Sequence, residues 1–309
     1  MNVKTKRLAF VSLPQTHLLD LAGPAHVFYE AIEYGAPYEL FFGTTNHTQI
    51  STSSGLHLAQ LVPYHQLTLE KGDIIFIPGS DINNLTNNDY VKSLAPFFDW
   101  LWKHYHRGVC IGSICTGAFL LASAGFLTNK RCTTHWKYFQ LFQEKFPDVQ
   151  LKRNRLFVED ERILSSAGIS AGIDMALFLI ERDCGKRFVV EIAREVVLYF
   201  RRGEEDDQLS PFLQFRNHLD DRIHNLQDYL DHHFSEKLTL DALADKVHTS
   251  PRNLTRRFKH VTGITIGEYI QKIRLEKARN LIKEGEKMEA VAKQLGYNST
   301  SQLYRSLKR

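Results

Sequence analysis

The chain has 309 residues, 43% of them hydrophobic and 24% charged, with a formal net charge of +4. That length suits two domains, each able to bury its own core, and no apolar run approaches the roughly 18 residues of a membrane span. Charge is unevenly placed: residues 220–309 hold 17 of the 39 Lys and Arg but 12 of the 35 Asp and Glu, a net of +5 that leaves −1 for residues 1–219, a basic excess compatible with a polyanion partner and equally with an ordinary solvated surface.

Residues 1–7 are charged and run into only a short apolar segment, 8–13, unlike a secretory signal, and a cytoplasmic location is expected. Cys110, Cys115, Cys132 and Cys184 form no pair of CxxC motifs and are expected to be reduced thiols; neither a metal nor a cofactor is called for. From residue 7 to about 200, short apolar runs alternate with longer amphipathic stretches. Strands are predicted at 8–13, 38–42, 73–78 and 108–111, and helices at 21–33, 90–105, 116–124, 136–146 and 172–184. The alternation predicts an α/β domain, a Rossmann-like (flavodoxin-like) three-layer sandwich, over residues 1–203.

Within it, residues 109–121 (VCIGSICTGAFLL) form a predicted strand, tight turn and helix with Cys115 at the apex. Small neighbours, Ser113 and Gly117, permit a sharp turn that lifts the thiol above the sheet, where the following helix would favour a thiolate or an anionic ligand. His135 follows the next strand and Asp20 the first, and the three side chains can meet in space. Other readings stay open: Cys115 as a small buried residue, His135 as a core or pocket-lining group, and Asp20 as a helix cap.

The acidic stretch 203–208 (GEEDDQ), followed by Ser210 and Pro211, predicts a linker over 204–219. Beyond it, residues 220–309 are predicted to be all helical. Residues 240–247 and 251–261 make a helix-turn-helix, with Ser250 as N-cap, Pro251 at the first helical position and Gly263 just past the end. Leu254, Phe258 and Val261 face inward, while Arg252, Asn253 and Arg256 are predicted to face bases and Arg257 and Lys259 to meet phosphate. The pattern returns about 48 residues later, over 289–309, with Ala292 answering Ala244 and Leu303 answering Leu254. Ser299, Ser301, Gln302, Arg305 and Lys308 are the DNA-facing candidates there. Residues 266–282 form a long amphipathic helix able to set the two second helices about one DNA turn, roughly 34 Å, apart.

This layout resembles the AraC/XylS family of transcription regulators, through Leu243-Ala244, Ser250-Pro251, Arg257-Phe258-Lys259, Gly263, the linking segment 274–281 (RLEKARNL), Val291-Ala292 and Gly296-Tyr297. Two departures are Leu307, where the family has Phe, and the chain's end at Arg309, where members continue through a further turn and helix. The second reading head is therefore expected to be the weaker. The N-terminal half resembles the ThiJ/PfpI, or class I glutamine amidotransferase-like, superfamily, and the combination is similar to the GlxA-like branch of regulators, which the stretch 165–174 (SSAGISAGID) also matches.

The resemblance implies double-stranded operator DNA as partner, RNA polymerase as a further one, a homodimer, activation, and a small nitrogenous effector of the amino acid or quaternary amine class. It implies an effector pocket contacted by Asp20, Cys115, Thr116, His135, Trp136 and the turn from Ser166 to Gly168. It also implies an alternative: a Cys-dependent hydrolase or glyoxalase-like enzyme, with Cys115, His135 and Asp20 as a vestigial or competent catalytic set. Many catalytic members carry His directly after the nucleophile, and this chain has Thr116 there. A third reading is a sensor in which Cys115 oxidises.

Overall fold

The computed structural model describes residues 4–45, 48–153, 155–198, 202–203, 208, 214–216, 218–283 and 285–307. The chain divides into two compact units, Met1–Gln208 and Leu209–Arg309.

The first unit carries strands β1 (Lys6–Ser12), β2 (Tyr38–Thr44), β3 (Ile50–Ser51), β4 (His57–Leu58), β5 (Val62–Pro63), β6 (Ile74–Ile77), β7 (Cys110–Ile114), β8 (Arg131–Cys132), β9 (Gln150–Leu151), β10 (Phe157–Asp160) and β11 (Ile163–Ser166). Its helices are α1 (Leu18–Glu33), α2 (Ile82–Thr86), α3 (Asn88–Ser93), α4 (Ala95–His106), α5 (Gly117–Ser123), α6 (Phe139–Lys145), α7 (Ser170–Cys184) and α8 (Lys186–Glu195). Seven strands form one sheet in the order β10-β11-β7-β6-β1-β2-β5, parallel except where β10 runs against β11.

Alternation along each strand explains the layers. In β1, Leu8 and Phe10 join Phe28, Phe76 and Met175 in a core shared with α1, α7 and α8. Ala9 and Val11 join Ile75, Ile77, Leu101, Phe119 and Phe142 in the opposite core. The three-layer sandwich expected from the sequence is thus observed. Among the details that differ, two have a local physical reason. The helix expected over 90–105 is broken at Leu94, because Pro96 sits at the start of α4 and supplies no N–H to a preceding turn. The turn expected from Ser166 starts one residue later, because Ser165 and Ser166 end β11, where they pair with Ser113 and Ile114 of β7.

The second unit, among its described residues, is helical: α9 (Asp221–His233), α10 (Leu240–Lys246), α11 (Pro251–Thr262), α12 (Ile266–Lys283), α13 (Met288–Gln294) and α14 (Thr300–Leu307). One core gathers Ile223, Leu226 and Leu230 of α9 with Leu243, Leu254, Phe258 and Tyr269, and a second, smaller core gathers Ala278, Val291, Ala292, Leu295, Tyr297 and Leu303. Helix α12 spans both, giving Ile266, Tyr269 and Ile273 to the first and Ala278 to the second. Its 18 residues run about 27 Å at 1.5 Å per residue. Arg274 fixes it midway by donating from Nε to the carbonyl of Phe234 at 2.7 Å. Of the stretch read as linker, Gln208 donates its amide to Thr133 Oγ1, the Thr134 carbonyl and the Arg155 carbonyl, and Phe215 is buried in the helical unit.

The two helix-turn-helix pairs share a turn geometry that the repeat foretells. His248, after α10, has φ 54°, and Gly296, 48 residues later, has φ 73°. The left-handed conformation costs a non-glycine residue about 1 kcal/mol. The His248 side chain is exposed and has no hydrogen-bond partner among the described residues, so His248→Gly is expected to raise the stability of the helical unit by up to about 1 kcal/mol. Urea unfolding followed by circular dichroism measures it; an unchanged or lowered midpoint would contradict the assignment of strain to that residue.

Candidate functional site

Cys115 stands at the C-terminal edge of the parallel strands, directly after β7, with φ 57°, the strained apex that the small neighbours predicted. Three loops converge on it. The first, between β1 and α1, is tied down by the His17 amide and the Thr16 hydroxyl, both donating to the Gly79 carbonyl at 2.7 and 3.1 Å. The second is the Gly79–Ser80 turn after β6, where the Thr116 hydroxyl donates to the Ser80 carbonyl at 2.8 Å and accepts from the Ser80 amide at 3.0 Å. The third runs from Ser166 to Ile169, and the Ser166 carbonyl accepts from the Cys115 amide at 2.9 Å.

Both glycines of these loops exist because of the apex. A Cβ on Gly79 would lie 2.4 Å from Asp20 Oδ2 and 3.0 Å from Cys115 Cβ, and one on Gly168 would lie 2.6 Å from Cys115 Cβ and 2.8 Å from its Sγ.

Asp20 is wholly buried and sits in the first turn of α1. Its carboxyl does not cap its own helix. Oδ1 accepts the Ile169 amide of the third loop at 2.7 Å, holding a β-branched residue at φ 44°. Oδ2 lies 3.3 Å from His17 Nδ1, which is itself 4.0 Å from Cys115 Sγ. His17, which the sequence reading passed over, is therefore a histidine that the structure brings to the thiol. Nothing in its local pattern marks it: it precedes Asp20 by three residues at the entry to α1, a spacing common in ordinary helix starts.

His135 stands between β8 and α6. It is half-buried, accepts the Lys137 amide through Nδ1 at 3.3 Å and lies tilted against the rings of Trp136 and Tyr138. Burial pushes its pKa down, with the nearby His17 adding to the effect and Asp20 opposing it, so the ring is neutral at pH 7. Trp136 is 42% exposed beside it. Ser166, expected in the turn, contributes a buried hydroxyl that has no hydrogen-bond partner among the described residues.

The thiol itself departs from expectation. Burial pushes the Cys115 pKa well up, the Asp20 carboxyl pushes it further, and the Thr116 amide opposes them without prevailing. The resting group at neutral pH is a thiol beside a carboxyl, and not the thiolate that an elbow ahead of a helix predicts. Cys110, Cys132 and Cys184 are free as well.

In the helical unit, Ser250 Oγ accepts the Asn253 amide, Pro251 opens α11, and Gly263 closes it in the left-handed conformation. Leu254 and Phe258 are buried, and Arg252, Arg256 and Lys259 are exposed. Asn253 bonds Thr249 Oγ1 through its amide and receives Arg256 through its carbonyl. Arg257, expected on phosphate, is held by Asp220 at the cap of α9.

In the second pair, Ser299 and Gln302 serve the helix end: Ser299 Oγ accepts the Gln302 amide at 3.2 Å and Gln302 Oε1 accepts the Asn298 amide at 2.9 Å, a capping arrangement. Ser301 and Arg305 are exposed on α14; Lys308 lies outside the described residues.

Residues 6–182 match the DJ-1/PfpI family and residues 243–309 match a helix-turn-helix domain family. The chain is 28% identical over 240 residues to the HTH-type transcriptional regulator CdhR of Pseudomonas aeruginosa, covering 77% of this chain and 69% of that protein. It is 33% identical over 186 residues to the HTH-type transcriptional regulator GbdR of the same species, covering 60% of this chain and half of that one. A ThiJ/PfpI family protein from Pseudomonas syringae shares the fold of the first unit, with a TM-score of 0.55 at 18% identity over 66% of this chain and 79% of that one. The chain belongs to the DJ-1/PfpI family and carries a C-terminal AraC-type helix-turn-helix domain, the two-part architecture of a DNA-binding transcription regulator.

Proposed function

We propose that this regulator reads two adjoining major-groove segments of operator DNA with α11 and α14, under the control of a small nitrogenous metabolite bound over Cys115. The observation that carries the reading is the duplicated helix-turn-helix pair on the common helix α12, whose first copy exposes Arg252, Arg256 and Lys259 from an N-capped helix. Side chains of this length reach base edges, and exposed cations meet phosphate. Arg257, engaged by Asp220, acts as a brace that fixes the tilt of α11. Activation through RNA polymerase, a homodimer and a cytoplasmic location go with this reading. Among the described residues no helix is long and apolar enough to cross a membrane.

The effector site is the pocket walled by Asp20, Cys115, His135, Trp136, Ser166 and Gly168. A buried carboxyl and the exposed face of Trp136 suit a cationic amine, and the unpartnered Ser166 hydroxyl is a polar group that a ligand would satisfy. Thr116 supports the site from beneath, because its hydroxyl is already engaged with Ser80. The protonated thiol argues against a Cys-dependent hydrolase or glyoxalase.

Calorimetric titration of the full chain with small amino acids and quaternary amines tests the pocket. One class is expected to bind at a single site per chain and to lose at least tenfold in affinity in His135→Ala. Absence of any binder, or indifference to that substitution, would refute the pocket assignment.

A further inference from the structure

The donor atoms His17 Nδ1, Asp20 Oδ2 and Cys115 Sγ all lie within 4.8 Å of one another. We propose that these three groups form a site for one thiophilic divalent cation of the zinc class, lodged at the floor of the pocket.

Geometry is the first argument. Tetrahedral zinc with bonds of about 2.0–2.1 Å to nitrogen and oxygen and about 2.3 Å to sulfur separates an N,O pair by about 3.3 Å and an S,N pair by about 3.6 Å. The observed separations are 3.3 Å from His17 Nδ1 to Asp20 Oδ2 and 4.0 Å from His17 Nδ1 to Cys115 Sγ. The two His17 separations need a shift of a few tenths of an ångström at most, within reach of the His17 ring, which is one-third exposed, and Asp20 Oδ2 and Cys115 Sγ lie within 4.8 Å of each other.

Preorganisation is the second. Cys115 is fixed by its backbone bonds to Ser166 and Thr134, Asp20 by its bond to the Ile169 amide, and the His17 backbone by the Gly79 carbonyl. The carboxyl thus already has an outer partner of the kind that orients metal ligands.

Charge is the third. Binding replaces the S–H bond with an S–metal bond and releases one proton to solvent, so the thiolate and the carboxylate neutralise the dication while the histidine remains neutral. Three protein ligands leave a fourth position for water or for a donor atom of a small molecule. Occupancy would set the charge of the pocket floor near zero, where the metal-free site offers a carboxyl to an amine. The site does not depend on the DNA-reading assignment, and its test uses neither DNA nor effector.

The experiment is titration of the reduced, chelator-treated full chain with Co²⁺, followed by Zn²⁺. The expected result is one equivalent of Co²⁺ per chain with a thiolate-to-cobalt charge-transfer band in the near ultraviolet, displaced by Zn²⁺. Cys115→Ser is expected to abolish the band, His17→Ala to weaken affinity at least about 100-fold, and Cys110→Ser to leave both unchanged. His17→Ala removes a partly exposed ring, and its thermal melting checks that the fold is intact. No charge-transfer band at millimolar Co²⁺, or a band that persists in Cys115→Ser, would overturn the site.

Discussion

Gly296→Ala is expected to unfold the second helix-turn-helix pair while leaving the first intact. Gly296 takes φ 73° in the turn after α13, and a Cβ there would lie 2.0 Å from the Ser235 carbonyl oxygen and 2.8 Å from its carbon. Those are backbone atoms at the C-terminal side of α9, so no side chain can rotate away. Strain in the left-handed region and forced backbone movement together cost about 3–5 kcal/mol. The core this turn serves is small, built on Ala278, Val291, Ala292, Leu295, Tyr297 and Leu303, and cannot absorb that cost. Hydrogen exchange should show lost protection over α13 and α14 with protection retained in α11. Uniform protection at wild-type levels would contradict the packing described.

Gly168→Ala is expected to have the same order of effect at the other end of the chain. Gly168 has φ 109°, and its added Cβ would meet Cys115 Cβ at 2.6 Å, Sγ at 2.8 Å and Cα at 3.1 Å. The apex cannot retreat, because its amide is bonded to Ser166 and its carbonyl to the Thr134 hydroxyl. The pocket floor must deform, at about 2–4 kcal/mol, with loss of effector binding by at least about 100-fold. The helical unit has its own cores, so binding of DNA in the absence of effector is expected to persist. Calorimetry and a mobility-shift titration on the same variant measure the two halves separately; undiminished effector affinity would place the ligand elsewhere.

Much of this was legible from residue order. The elbow at Cys115 followed from small residues on either side of the apex, and the caps of α11 from Ser250, Pro251 and Gly263, because local backbone chemistry decides both. What escaped depended on contacts between distant segments. His17 became the thiol's neighbour only because its loop is bonded to Gly79. The pairing of Arg257 with Asp220, 37 residues earlier, was not legible in the helix pattern. Ser299 and Gln302 read as polar recognition residues when their first duty is to the end of α14. The strand containing Ser165 and Ser166 was obscured by its small polar residues, which a sheet interior accepts where a neighbouring strand pairs with them.

Selection of bound sequences from random duplex DNA by the full chain at physiological salt tests the two DNA-reading heads directly, with Arg252→Ala as the comparison. The expected result is an enriched motif of two sub-sites about one helical turn apart, with Arg252→Ala relaxing the sequence of one sub-site and weakening binding by about 1–3 kcal/mol, some 5- to 150-fold. Enrichment of no motif, or of the same motif with the same affinity in Arg252→Ala, would contradict it.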